Sequence, residues 1–369
     1  MRVAVLSHTY VVDANRGKLA SLARLPGMEL MLVVPRRWTN PDLGQTVRAA
    51  PVSGAFEVVS LRASSCGFPS LLAYSPPGLW RVLRRFRPDI LHVEEEPWSL
   101  AALEAALLCG HLGARFVFLT WENCNRRLPR PLEWIRRQVM ARAAAAVAGN
   151  MEAKRLLERR SFRHPISVVP QLGVDPVRFA PAEPAGALAP PVVGFVGRLV
   201  PAKGLLVLLD AIAWLPAGVR VLVVGNGPLK PTVLARARAL GLDGRFELRD
   251  DVRHHEVPDQ LRRMSVLVLP SLTTGTWKEQ FGHVLIEAMA CAVPVVGSDS
   301  GAITEVIGDA GLVVREGDPD ALGKALERLL ASPARCAELG ARGRSRVLAA
   351  YTNDAIAARL AAIWQAVVR

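Results

Sequence analysis

Two glutamates eight positions apart, Glu279 and Glu287, frame the segment KEQFGHVLIEAMA at residues 278–290. Val284, Leu285, Ala288, Met289 and Cys291 recur at the spacing of a buried helix face, so a helix is expected from Gly282–His283 to short of Pro294. Glu279 then lies in the loop before that helix. Glu287 lies beside its apolar stripe, where an unpaired charge is costly. The backbone N–H groups near Phe281 to His283 would form a helix N-terminus able to hold an anion. The competing reading is an ordinary amphipathic helix with Glu287 at its wet edge.

A second stretch, GFVGRLVPAKG (194–204), ends a strand-like run in a turn carrying Gly197, Arg198 and Lys203. Arginine offers a fixed fork of donors and lysine a mobile point charge, a combination suited to a diphosphate. VLVVGNGP (221–228) holds Gly225 and Gly227, but Pro228 follows where a G-x-G-x-x-G fingerprint would continue; it reads as a tight turn rather than a dinucleotide site. The D-x-D of Asp318 and Asp320 could ligate a metal, yet Asp318 before Pro319 has the signature of a helix cap. In the N-terminal half, DILHVEEEPWS puts His92 and three glutamates at a strand's end, and FVFLTWENCNRR does likewise with Trp121, Glu122 and Asn123, as the ends of parallel strands lining a substrate cleft would. The histidines are scattered and the five cysteines form no C-x-x-C pair, so neither a metal site nor a disulfide framework is expected.

These residues need strand ends and helix starts to hold them. Strands are expected at 2–7, 29–34, 56–61, 89–93, 115–120, 145–148 and 166–169, with helices at 15–25, 78–86, 99–111, 131–142 and 151–159. A second series has strands at 192–196, 219–224, 245–248, 265–269, 293–296 and 311–313, with helices at 203–214, 229–240, 256–262, 283–291, 302–306 and 319–330. Each βαβ rhythm implies a parallel sheet covered on both faces. Residues 180–191, with four prolines, read as a linker. The expected domains are therefore 1–182 and 190–350. The stretch 351–368 reads as an amphipathic helix with Ile356, Leu360, Ile363, Trp364 and Val367 on one face.

The chain's 369 residues carry a net charge of +13. Residues 1–185 hold 25 basic against 15 acidic side chains, or +10, and residues 186–369 hold 21 against 18, or +3. The excess suits an anionic partner, although 40 of the 46 basic residues are arginine and coding bias could supply much of it. RPLEWIRRQVMARAAAA (130–146) sets Trp134, Ile135 and Val139 among arginines, a pattern for lying on an anionic bilayer or for packing on the sheet. No nucleic-acid module accompanies the charge. No apolar run is long enough to span a bilayer and no leader is evident, so a cytoplasmic protein, peripheral at the inner face of the membrane, is expected.

GFVGRLVPAKG, VVGNGP, the E-x7-E pair within EQFGHVLIEAMACAVPVVGSDSG, and TEVIGDAGLVV together resemble the retaining glycosyltransferases of family 4. The resemblance is dense over about residues 192–320 and looser over 1–185. It implies the GT-B architecture, α/β with two doubly wound Rossmann-like domains facing a central cleft, and a last helix, 351–369, that crosses back to the first domain and buries Trp364 there. It also implies transfer of a sugar from a nucleotide-sugar donor to a glycan, lipid-linked or small-molecule acceptor, with no metal and no cofactor. By resemblance Arg198 and Lys203 grip the diphosphate, Glu279 meets the donor sugar and Glu287 the ribose. Gly197, Gly225, Gln280, Phe281, Gly282 and His283 complete the donor side. The family's Gly-Gly turn after the first strand is absent, leaving Arg16, Gly17 and Lys18 as substitutes. A family histidine near the donor sugar is replaced by the neighbourhood of Glu122 and Asn123, with His92 as a further candidate. A nucleotide-sugar epimerase and a silent nucleotide-sugar-binding subunit are the alternatives.

Overall fold

The computed structural model describes residues 1–39, 46–49, 54–182 and 190–369. It divides into two compact units, Met1–Gly173 with Asn353–Arg369, and Val174–Thr352. The central part of the proline-rich stretch, 183–189, lies outside the described residues. The division falls upstream of residue 182 because 174–180 are tied into the second unit: Val174 N donates to Tyr351 O, and Arg262 donates to the carbonyls of Arg178 and Ala180.

The first unit is built on seven parallel strands: β1 (Arg2–Leu6), β2 (Glu29–Pro35), β3 (Glu57–Leu61), β4 (Ile90–Val93), β5 (Arg115–Thr120), β6 (Ala145–Ala148) and β7 (Ile166–Val168). Their order across the sheet is β7-β6-β5-β4-β1-β2-β3. Period-two alternation feeds a core on each face: Ala4 and Leu6 enter one cluster, Val3 and Val5 the other. The second cluster is closed by the helix Asn353–Val368 through Ile356, Leu360 and Trp364. That helix lies against the helix Gly17–Ala23, and a Cβ at Gly17 would come within 2.4 Å of the Asn353 side chain, which would have to shift to admit it.

The second unit has six parallel strands: β8 (Val192–Val196), β9 (Arg220–Val224), β10 (Phe246–Arg249), β11 (Val266–Leu269), β12 (Val295–Ser298) and β13 (Leu312–Val314), in the order β10-β9-β8-β11-β12-β13. Both sheets thus run outward in opposite directions from their first strand. The switch points are β1/β4 and β8/β11, and open α/β sheets bind ligands beyond the carboxyl ends of strands at such points.

Three features depart from the sequence expectations. Arg37–Thr39 pairs antiparallel with Thr46–Arg48, and Ala63–Ser64 with Ala73–Tyr74; strands so short carry no readable period. The expected helix at 203–214 is a 3₁₀ turn, Pro201–Lys203, followed by a helix from Leu205, because left-handed Gly204 intervenes. Pro333–Ala350, unassigned in sequence, is a helix of 18 residues. Its Gly340 and Gly343 look like breakers, but a Cβ at Gly340 would sit 2.1 Å from Ala292 O, and one at Gly343 2.8 Å from Met289. The glycines let this helix lie close on the segment His283–Ala292.

Candidate active site

In the second unit, the loops leaving β8 and β11 meet at the switch point. The β8 loop is braced from the side by the β9 loop: Gly197 N donates to Val224 O, and Leu199 N to Asn226 O. Gly225, at φ 146°, lies so close that a Cβ would meet Gly197 O at 1.9 Å. Gly225 and Gly197 therefore shape the turn by close backbone approach. On the other side Leu272 N donates to Ala202 O, joining the β8 and β11 loops.

Across this seam Lys203 Nζ donates to Glu279 Oε2 at 2.5 Å, and Ser271 Oγ donates to the same oxygen at 2.7 Å. Two donors on one oxygen fix the carboxylate's orientation. The Lys203 ammonium also lies 5.1 Å from the centre of the Trp277 ring. The pair is recessed but open to solvent, the side chains being 14% and 7% exposed. Glu279 is held through its backbone too, its carbonyl accepting from Ala302 N at 3.0 Å. Arg198 stands exposed on the β8 loop, and Gln280 is half-buried next to Glu279.

Gly282, left-handed at φ 76°, opens the helix His283–Ala290, whose first turn has no acidic residue, so its partial positive charge is not offset there. Phe281 is buried edge-to-face against Tyr351, 5.7 Å between centres. One turn into the helix, Glu287 is 7% exposed, with its Oε1 3.3 Å from His283 Nδ1. Arg198, Lys203, Gly197, Gly225, Glu279, Gln280, Phe281, Gly282, His283 and Glu287 thus all belong to one unit, on the strand-to-helix loops and the helix start described here. Asp318 accepts from Ala321 N at 2.8 Å as the N-cap of Pro319–Leu330, which uses the first carboxylate of the D-x-D within its own helix.

The N-terminal candidates are placed differently. Lys18 is sealed in the first unit, its Nζ 2.5 Å from Glu94 Oε1, and Tyr10 O–H donates to Glu94 Oε2. Burial opposes the charge on Glu94, but Lys18, then His92 and the hydrogen bonds from Lys18 and Tyr10, outweigh it and hold the carboxyl below its usual range. Arg16 is buried and donates through Nε to Tyr10 O at 2.7 Å. His92 is fully buried, accepting at Nδ1 from Trp364 Nε1 at 3.0 Å, and burial pushes its pKa down to about 4. Glu122 and Asn123 follow β5 and are also buried, Glu122 being gripped by both terminal nitrogens of Arg160. Two further residues stand at the β1/β4 switch point: His8, which the sequence did not single out, and Glu95, the middle one of the three glutamates at the end of β4. The His8 ring, 22% exposed, is held at Nδ1 by Glu95, 2.7 Å to Oε1, and stacks on Trp38 with 4.1 Å between centres. A lone histidine after a strand and a middle glutamate of three become a dyad only in the fold.

Two doubly wound units, one with a lysine–carboxylate pair beside a helix N-terminus at a switch point, define a class of α/β proteins whose strand ends suit an anionic ligand. The relatives narrow it. Residues 20–178 match the model of Glycosyltransferase Family 4, and residues 190–332 that of Glycosyl transferases group 1. A D-inositol 3-phosphate glycosyltransferase of Stackebrandtia nassauensis is 30% identical over 339 residues, 82% of this chain and 73% of that protein. A GDP-mannose-dependent monoacylated alpha-(1-6)-phosphatidylinositol monomannoside mannosyltransferase of Corynebacterium glutamicum is 33% identical over 209 residues, 52% of this chain; the chain spans about half of that relative's length, 54%. Among solved structures, sucrose-phosphate synthase from Thermosynechococcus elongatus superposes with a TM-score of 0.78 at 20% identity, covering 99% of this chain and 98% of that one. Anabaena HepE, solved with UDP, gives 0.74 at 16% identity, covering 99% and 100%. At these identities the structural likeness establishes the fold, GT-B. The chain belongs to the family 4, group 1 glycosyltransferases.

Proposed function

We propose that the protein is a retaining glycosyltransferase that moves a sugar from a nucleotide-sugar to an acceptor without a metal ion. The observation that carries this reading is the Lys203–Glu279 pair, seated between the β8 and β11 loops and oriented by Ser271. Lys203 and Arg198 meet the charge that develops on the departing diphosphate, and the N-terminus of His283–Ala290 adds its backbone donors. Glu279 accepts hydrogen bonds from the donor sugar. Glu287, steadied by His283, accepts from the ribose. Cations and a helix dipole supply what a metal would otherwise supply at the leaving group. The departing phosphate takes the acceptor's proton on the face it leaves, which retains configuration.

The relatives' names support a nucleotide-sugar donor and acceptors carrying a phosphate or a lipid: GDP-mannose-dependent phosphatidylinositol monomannoside mannosyltransferases and D-inositol 3-phosphate glycosyltransferases recur. HepE has been solved with UDP-glucose. On the acceptor side, the His8–Glu95 dyad at the β1/β4 switch point is better exposed than Lys18 or His92, and we assign it the role of orienting the acceptor hydroxyl. Glycan, envelope or exopolysaccharide synthesis would be the setting.

Peripheral contact with an anionic membrane is part of this reading in narrower form. Ile135 and Val139 are buried in the first unit's core, so they do not face lipid. Trp134, 55% exposed, and its neighbours Arg130 and Arg137 form the surface available on that helix. No helix among the described residues is long and apolar enough to cross a membrane.

The test is a panel of GDP- and UDP-sugars screened for a rise in melting temperature, since ligand binding to the folded state stabilises it. The protective donor is then incubated with inositol phosphates and phosphatidylinositol. Anomeric product analysis by NMR should find the donor's configuration kept. Donor conversion to an epimer with no acceptor product would overturn the transferase reading, and inversion would overturn retention.

A further inference from the structure

A cavity of about 490 Å³ opens in the first unit between the helix Arg130–Arg142 and the turn 160–164. Four arginines line it, Arg136, Arg137, Arg160 and Arg163, together with His164 and a single carboxylate, Glu133. Glu122 lies beneath. Four guanidiniums against two carboxylates leave 4 − 2 = +2 around one hollow.

The carboxylates are already committed. Glu133 takes Arg136 Nη2 and Arg137, and Glu122 takes both terminal nitrogens of Arg160. Arg136, only 8% exposed, is left with Nη1 3.8 Å from Glu122 Oε1 and without a hydrogen bond. Burial lowers the pKa of Arg136, and the neighbouring Arg160 charge lowers it further. Arg136 and Arg160 are therefore held side by side, partly out of water, against two carboxylates, while Arg137 and Arg163 add two further positive charges that no carboxylate of the cavity balances. Arg163 makes no ion pair among the described residues, and it stands with His164 at the exposed rim. Ser161, a non-glycine residue at φ 58°, turns the chain here and brings its hydroxyl to the same wall.

We propose that this cavity binds a phosphate group, as free phosphate, a dissolved phosphomonoester or the headgroup of a phosphatidate-like lipid. Arginine forks match the geometry of a tetrahedral oxyanion, and its charge offsets the excess of two positive charges around the cavity. The site is separate from the proposed donor site: all its residues belong to the other unit, and it does not depend on the chain's being a transferase.

Binding of inorganic phosphate is measured by calorimetry at constant ionic strength, in an Arg198→Ala/Lys203→Ala background that removes the phosphate grip of the donor site. The comparison is Arg163→Ser/His164→Ser, whose exposed rim residues can change without breaking the buried pairs. About one equivalent should bind to the parent, with affinity at least about tenfold weaker in the rim variant, as expected for loss of a charge-assisted donor. Vesicles of phosphatidylcholine containing phosphatidate, against phosphatidylserine at equal mole fraction, then identify the source. Phosphatidate preference lost in the rim variant and competed by phosphate assigns a lipid headgroup; saturable phosphate binding without that preference assigns a dissolved phosphate. Equal phosphate affinity in parent and rim variant, or no saturable binding to either, overturns the site.

Discussion

Each unit of this protein clamps its switch point with a lysine and a glutamate 2.5 Å apart, and the two clamps do different work. In the first unit Lys18, from the segment after β1, reaches Glu94 at the end of β4. In the second, Lys203 after β8 reaches Glu279 in the segment after β11. Their places in the topology correspond. Their surroundings do not: the Lys18 and Glu94 side chains are 1% and 0% exposed, with Tyr10 and His92 closing over them, whereas Lys203 is 14% exposed. A buried pair is expensive to break but has no room for a ligand. A recessed pair open at one side leaves room beside it, and the proposed function gives that room to a diphosphate. Burial separates the two clamps.

The largest effect should come from Lys18→Ala. It strands the Glu94 charge in the core and should lower unfolding stability by about 3–5 kcal/mol. Chemical denaturation measures this, and the double variant Lys18→Met/Glu94→Leu should recover most of the loss. Failure of the double variant to recover would mean that the pair contributes more than its own neutralisation. Next comes Lys203→Ala. Turnover should fall about 10²–10³-fold, while stability drops less than in the Lys18 variant because water can reach the vacated site. Near wild-type turnover would end the assignment of Lys203 to the leaving group.

A third effect sharpens the comparison through pH. The bond from Trp364 Nε1 requires His92 Nδ1 to be unprotonated, and burial holds the histidine's pKa at about 4 against 6.5 ordinarily. The unfolded chain therefore takes up the proton first as pH falls. The stabilising contribution is full above pH 6.5 and is lost as pH drops toward 4, by on the order of 3 kcal/mol. Burial raises Glu96 and Glu104 to about 7, which tilts stability the opposite way between about pH 4.5 and 7. The measurement is thus wild type against His92→Gln, in which the glutamate terms cancel. Wild type should lose stability relative to the variant on acidification, and parallel curves would refute the assignment. The smallest expected effect is none: transferase activity should persist in excess EDTA. Loss that Mg²⁺ or Mn²⁺ restores would show that the leaving group needs more than Lys203 and Arg198.

Much of the fold was legible because its strands are apolar runs with few alternatives. VVGFV, RVLVV and VLVL read as buried parallel strands from composition alone, and they are. Pro333–Ala350 was not legible, since its glycines serve contacts with Ala292 and Met289 that no local window contains. The candidate residues divide in the same way. Lys203, Arg198, Glu279 and Glu287 stand out because they sit next to recognisable strand ends and a recognisable helix start. His8 and Glu95 lie 87 residues apart and have no common local pattern.

By itself the sequence determined the alternation of strands and helices, the two series of them, and the family, because periodicity and short motifs are local properties. Only the tertiary structure decided which charges are available for chemistry. Lys18 and Lys203 both follow first strands, and both could reach a phosphate on paper. Packing of Asn353–Val368 on Gly17–Ala23 helps to enclose one, while the meeting of the β8 and β11 loops leaves the other at an opening. The cost of desolvating an ammonium depends on everything that surrounds it, and those surroundings come from distant parts of the chain, 76 positions away for each partner glutamate and further still for the helix Asn353–Val368.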